Sequence, residues 1–186
     1  MNQSQQGAWW KEAVIYQVYP KSFYDSNNDG IGDIQGIIAK LPYLKTLGIT
    51  MIWVSPFYLS PGADNGYDIA DYYAVNPDFC QLQDIDDLIK QAGELGIGIM
   101  VDLVVNHTSD EHRWFQAALA DPASKYRDYY IFKPAVAGAA PNNWRSIFGG
   151  SAWEKVAGEE CYYLHVFHKK QPDLNWENPQ LRQEIY

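Results

Sequence analysis

The residues Gly98 to His107, GIMVDLVVNH, place an aspartate inside an apolar run and an Asn-His pair at its end. A strand of this kind delivers Asp102, Asn106 and His107 to its C-terminal end, which is where parallel α/β barrels carry out their chemistry. A core strand with a salt-bridged Asp and a capped His accounts for the same ten residues equally well. Asp64-Asn65-Gly66-Tyr67-Asp68 follows the preceding apolar run by about ten residues. A carboxylate beside an aromatic plate suits a sugar, because Asp64 can grip two hydroxyls while Tyr67 covers the ring face. D-N-G-Y is also an ordinary turn sequence.

A third cluster has a different chemistry. Asp25-Ser-Asn27-Asn-Asp29-Gly-Ile31-Gly-Asp33 sets oxygen donors on alternate residues around a glycine turn, as a hard cation requires. Against the EF-hand pattern, Asp25, Asn27 and Asp29 match, the Ile31 carbonyl falls at the seventh place and Asp33 at the ninth. Gly36 stands at the twelfth, where an EF-hand needs Glu. The loop is therefore expected to hold Ca2+, or Mg2+, and to close differently. A solvated Asx-turn loop is the alternative.

These clusters need a scaffold. Ala13–Tyr19, Ile49–Val54 and Ile97–Val105 read as three apolar strands. Between the first two, Ile34, Ile37, Ile38, Leu41, Leu44 and Leu47 recur at helical spacing, and Pro42 is expected to split that stretch in two. Between the second and third, Asp84 is expected to cap a helix carrying Ile85, Leu88, Ile89, Ala92 and Leu95 and ending at Gly96. Alternation of this kind requires parallel strands with right-handed crossovers. After His107 about seventy residues lack a long amphipathic helix, with strand-like pieces at 129–132 and 162–167, and read as an inserted irregular subdomain. Asn178-Pro179 then caps a further helix.

At 186 residues the chain is long enough for one domain with a sizeable core, but shorter than the about 250 residues of a complete (β/α)8 barrel. With 14 basic and 23 acidic residues, a net charge of −9 repels polyanions, so neither nucleic acid nor an anionic membrane is an expected partner. Cys80 and Cys161 lack metal or redox spacing and read as buried free thiols, which fits the cytoplasm. The N-terminal MNQSQQGAWWKEA has neither a basic n-region nor an apolar h-region.

Taken together, DLVVNH at 102–107, the D-N-G-Y cluster, the acidic loop and Gln171-Pro-Asp173-Leu-Asn175 resemble the α-amylase superfamily, glycoside hydrolase family thirteen, and within it the oligo-1,6-glucosidase subgroup. The resemblance runs from Trp9 to Tyr186. It implies the first three βα units of a (β/α)8 TIM barrel over residues 1–106, an inserted B domain over 107–174, and the next barrel helix starting at 175. It implies a retaining exo-α-glucosidase acting on a small oligosaccharide, with no organic cofactor. By position, Asp64 would hold the C4 hydroxyl region of a terminal glucose, Tyr67 would stack on its ring, His107 would bind O6, and Phe148 and Phe167 would wall the subsite. Asp102, Asn106, Gln171 and Asp173 would support it, and the cation in the 25–33 loop would be structural. The family's nucleophile Asp, in a G-x-R-x-D segment, and its acid/base Glu match nothing in the sequence and would fall beyond Tyr186. Sucrose isomerases and trehalose-6-phosphate hydrolases share many of these motifs, and Pro172 with the intact acidic loop points away from the latter. A non-catalytic sugar- or calcium-binding relative is the alternative of another class, including the barrel-bearing heavy chains of amino-acid exchangers.

Overall fold

The computed structural model describes residues 8–186, so the part of the leader argument that rests on residues 1–7 lies outside the described residues. The elements are a 3-10 turn (Trp9–Lys11), β1 (Ile15–Val18), α1 (Pro20–Phe23), α2 (Ile34–Thr46), β2 (Met51–Val54), β3 (Tyr58–Leu59), β4 (Asp71–Val75), α3 (Leu82–Glu94), β5 (Gly98–Val101), α4 (Arg113–Ala120), a second 3-10 turn (Lys125–Tyr129), β6 (Phe132–Pro134), β7 (Trp153–Lys155), β8 (Cys161–Leu164) and α5 (Pro179–Ile185). They form two compact units, one of residues 8–57 with 74–102 and one of residues 58–73 with 103–186.

The first unit holds a parallel sheet in the order β1-β2-β5, with Ile15, Met51 and Gly98 in step. Helices α2 and α3 pack on each other. Pro42 does not split α2 as its ring suggests; the helix runs unbroken from Ile34 to Thr46. An interior proline costs about 3 kcal/mol, whereas Ile34, Ile37, Leu41 and Leu44 are each at most 1% exposed and contribute roughly 1.5–3 kcal/mol apiece. The buried stripe outweighs the lost hydrogen bond. For α3 the cap is Gln81 rather than Asp84, which sits at the third helical position and accepts the Gln81 N–H at 2.7 Å in a capping box.

β5 stops at Val101, so Asp102 lies past the strand rather than within it. Val101 pairs with Val54, the last residue of β2, and the ladder ends there. β1 is likewise shorter than 13–19.

The second unit contains a three-stranded antiparallel sheet in the order β6-β8-β7. The strand-like run at 129–132 is mostly 3-10 turn, and the extended backbone starts at Phe132. The core is aromatic: Phe115 stacks edge-on against Tyr130 and Tyr163 at 4.9 and 5.0 Å, beside Trp114 and Tyr129. Much of the aromatic content is thus spent on packing. Asn178 caps α5 as expected, its side chain accepting from Gln180 N and Leu181 N. Cys80 is buried, its thiol pushed up to about 12 by burial, whereas Cys161 is only half-buried, contrary to expectation, with the Arg127 guanidinium donating to its sulfur at 3.6 Å.

Candidate functional site

Asp64, Tyr67, His107, Gln171 and Asp173 all belong to the second unit, and hydrogen bonds join them. The loop that presents Asp64 and Tyr67 is a tight turn. Asn65 and Gly66 have φ of 50° and 98°, and the Tyr67 N–H donates to the Asp64 carbonyl at 3.0 Å. Two successive positive φ values are what Asn-Gly accepts most readily. Asp68, fully buried, holds the turn from inside: its carboxylate accepts from Ser60 Oγ, Ala63 N and Asp64 N at 2.7–2.9 Å.

The 104–107 segment has no strand ladder, yet the Val104, Val105 and Asn106 carbonyls each have a donor of their own. Tyr72 Oη donates to Val104 O at 2.6 Å and lies 3.1 Å from His107 O. Trp176 Nε1 donates to Val105 O at 2.8 Å, and Leu174 N to Asn106 O at 2.9 Å. Burial drives the Tyr72 phenol far above its ordinary range, so it stays protonated and donates at any physiological pH. Tyr72, Trp176 and Asp68 thus position the site, and the sequence reading missed them. A Tyr in the run Asp71-Tyr72-Tyr73 carries no spacing signal that separates it from its neighbour.

His107 is 4% exposed. Its Nε2 is 3.1 Å from the Tyr67 carbonyl, which can only accept, so Nε2 carries the proton; Nδ1 then accepts from Asn106 Nδ2 at 3.1 Å. Burial lowers the imidazole's pKa against the opposing pull of the Tyr67 carbonyl, Asp64 and Asp68, which keeps it neutral at pH 7. Gln171, fully buried, donates from Nε2 to Asp64 Oδ2 at 2.9 Å while its Oε1 accepts from His168 N. That Nε2 also lies 3.0 Å from His107 Nε2. Two donors cannot bond each other, so this approach is packing, and the amide's productive bond is the one to Asp64.

Asp173 accepts from Val166 N and Asn106 Nδ2, both on Oδ1, and burial pushes its carboxyl up to about 6. Phe167 packs against the His107 ring at 5.2 Å and Phe148 lies edge-on to Phe167 at 6.1 Å, with Phe148 59% exposed. Asp102 belongs to the first unit, where Trp53 Nε1 donates to its Oδ2 at 2.9 Å.

The acidic loop is also in the first unit. Asp25 accepts from the backbone N–H of Asn27, Asn28 and Gly30, Asn27 from that of Asp29, and Asp29 from that of Ile31. The Gly30 N–H leads in holding the Asp25 carboxyl below its ordinary value. Asp33 caps α2 through Gly36 N and binds Ser26 through N and Oγ. Among the described residues no group of three or more His, Cys, Asp or Glu side chains is gathered as a metal cluster. The donor set, oxygens only, is still of the type a hard cation takes. Gly36 stands where an EF-hand has Glu because an added Cβ would collide with the Tyr24 backbone carbonyl.

Residues 17–186 match the family described as "Alpha amylase, catalytic domain". The oligo-1,6-glucosidase of Parageobacillus thermoglucosidasius is 58% identical over 180 residues, which cover 96% of this chain and 32% of that protein. The trehalose-6-phosphate hydrolase of Bacillus subtilis (strain 168) is 50% identical over 184 residues, covering 98% and 33%. The crystal structure of isomaltulose synthase from Protaminobacter rubrum superposes with a TM-score of 0.95 at 53% identity, covering 97% of this chain and 32% of that one. The chain thus spans about a third of the length of these relatives.

Proposed function

This chain belongs to the α-amylase catalytic-domain family, and from that premise we propose that it supplies one wall of the glucose subsite of a retaining glycoside hydrolase acting on α-glucosidic bonds of short oligosaccharides. Oligo-1,6-glucosidase or α-glucosidase chemistry is the reading supported by relatives 54–58% identical. The observation that carries the proposal is the buried Gln171 amide, which ties Asp64 from the 58–73 loop to the 103–186 segment at the His107 imidazole. Asp64 keeps a second carboxylate oxygen for the C4 hydroxyl region, Tyr67 offers its ring, and His107 Nε2–H is the donor to share with O6. Phe148 and Phe167 supply apolar walls.

Retaining hydrolysis needs a nucleophile and an acid/base carboxyl about 5–5.5 Å apart. The family's nucleophile and acid/base segments match nothing in this sequence, so the reactive pair is proposed to come from polypeptide outside these residues, while Asp68 and Asp173 hold backbone and side-chain donors. A polypeptide of these 186 residues alone is expected to show no turnover of p-nitrophenyl α-glucoside; turnover that a change at Asp64 or His107 abolishes would contradict this.

The subsite is tested in a chimera in which this chain replaces the matching third of the Parageobacillus enzyme. Asp64→Asn removes a charge-assisted hydrogen bond worth about 1.5–3 kcal/mol, so kcat/KM falls about 10- to 100-fold with the fold intact by circular dichroism. A change within twofold would remove Asp64 from the site.

The 25–33 loop is proposed to take Ca2+, or Mg2+, through Asp25, Asn27, Asp29, the Ile31 carbonyl and Asp33, as a structural ion. Added Ca2+ should raise Tm and chelation should reverse the rise, since a ligand at 100 times its Kd stabilises by about 2.7 kcal/mol. An unchanged Tm, or a rise that survives Asp29→Ala, would refute it. Two unpaired thiols support a cytoplasmic setting, and among the described residues no helix is long and apolar enough to cross a membrane.

A further inference from the structure

A cavity of about 250 Å3 lies within the second unit, walled by rings that follow one another in contact: Tyr58 to Tyr72 at 6.2 Å between centroids, Tyr72 to His112 at 5.9 Å, and His112 to Trp114 at 4.5 Å. None of the residues assigned to the glucose subsite lines it. We infer that this cavity binds a small organic ammonium ion carrying a hydroxyl, an amino alcohol of the choline type. His112 is the partner for the hydroxyl oxygen. It is 4% exposed, and its Nδ1 accepts from the Trp114 backbone N–H at 3.2 Å, a group that only donates, so the neutral ring carries its proton on Nε2. Burial, followed by the Arg113 charge, lowers this imidazole to about 4, which leaves it neutral at pH 7. Nε2–H has no hydrogen-bond partner among the described residues. No fully buried side-chain nitrogen or oxygen among them is orphaned, so Nε2–H reaches solvent, and the cavity that His112 lines is its opening. A donor in that position calls for an oxygen.

The charges on the lining fix the sign of the ligand. Arg113 and Glu184 reach the cavity from exposed positions and offset each other. Asp71 is half-buried and in no ion pair among the described residues; its Oδ1 accepts from Tyr73 N at 2.8 Å, and its Oδ2 has no hydrogen-bond partner among them. One uncompensated carboxylate beside electron-rich rings attracts a cation and repels an anion. The apolar lining separates an organic cation from a metal ion. N-methyl and methylene groups can pack on the rings and on Leu103 and Ile185, whereas a hydrated metal ion gains nothing from them.

The test is a titration of the 15N-labelled 186-residue chain with choline chloride at pH 7, reading the His112 ring nitrogens, with His112→Gln to assign them. A saturable shift of Nε2 at millimolar choline is expected, retained in Asp64→Asn. It should weaken at least about fivefold in Asp71→Asn, whose oxygen still takes the Tyr73 N–H, and in Tyr73→Ala, a change at a side chain 87% exposed. The uncharged analogue of choline, with carbon in place of the quaternary nitrogen, should bind more weakly by a similar factor. The same shift should persist in the chimera with the Parageobacillus enzyme, where the rest of a barrel is present. No shift at His112, a shift lost with Asp64→Asn, one indifferent to both Asp71→Asn and Tyr73→Ala, or one lost in the chimera would overturn the site. An equal response to the uncharged analogue, or a larger one to sodium sulfate, would overturn the ligand class.

Discussion

Gly36→Ala is expected to lower the stability of this chain by at least about 3 kcal/mol, the upper end of the usual cost of overpacking. A Cβ at Gly36 would fall well within 3.0 Å of the Tyr24 carbonyl oxygen and carbon, and these are backbone atoms that no rotamer change can move. The same carbonyl accepts the Asp33 N–H at 3.1 Å, and Gly36 N donates to the Asp33 carboxylate, so retreat of either side breaks the α2 cap. Gly93→Ala is the matched control. It lies in α3 with nothing within 4 Å of an added Cβ, so the change should stabilise by about 0.5–1 kcal/mol. Urea midpoints of both variants against the parent measure the difference. A Gly36→Ala midpoint close to the parent's would show that the loop and α2 do not meet as described.

Asp173→Asn should stabilise the chain at pH 7, contrary to what loss of a buried, hydrogen-bonded carboxylate ordinarily does. Burial raises this carboxyl from 3.8 to about 6 in the folded chain, a gap worth about 3 kcal/mol at pH 7, where both states are ionised. The asparagine oxygen can take the same two donors, Val166 N and Asn106 Nδ2, without the charge. In the parent that cost is recovered as pH falls from about 6 to below 3.8, because the folded state binds the proton first. His112 works in the opposite direction. Burial lowers its pKa to about 4, so the unfolded chain is protonated first and about 3 kcal/mol is lost between pH 6.5 and 4. His107, also lowered by burial, adds to that loss. The parent's stability should therefore fall only by the excess of the two histidine losses over the Asp173 gain, while Asp173→Asn starts higher and falls steeply. Chemical denaturation at pH 7, 5.5 and 4 reads both slopes. A variant less stable than the parent at pH 7 would mean that Asp173 is held by an attraction stronger than its burial cost.

The elements legible in the sequence are those whose signals are local. Asn178-Pro179 and Gly96, which ends α3, act through their own backbone, and the structure has each where the residues place it. Pro42 misled because its cost is local while the burial that outweighs it is tertiary. Asp84 misled by three positions because Asp serves at the cap and in the first turn alike. The end of β5 depends on where β2 runs out of residues to pair, which no pattern within 97–105 records. In the site, Asp64, Tyr67, His107 and Gln171 were legible through motifs. Tyr72, Trp176 and Asp68 act on carbonyls and amides distant in sequence, and residue type alone does not reveal that.

The central claim is that Asp64, Tyr67, His107 and Phe167 face one glucose ring. A crystal structure of the chimera with glucose bound tests it most directly. The ring should lie on Tyr67, with hydroxyls within hydrogen-bond distance of Asp64 and His107 and the Gln171–Asp64 bond retained. Glucose bound elsewhere, or Tyr67 and His107 directed to opposite ends of the site, would contradict it.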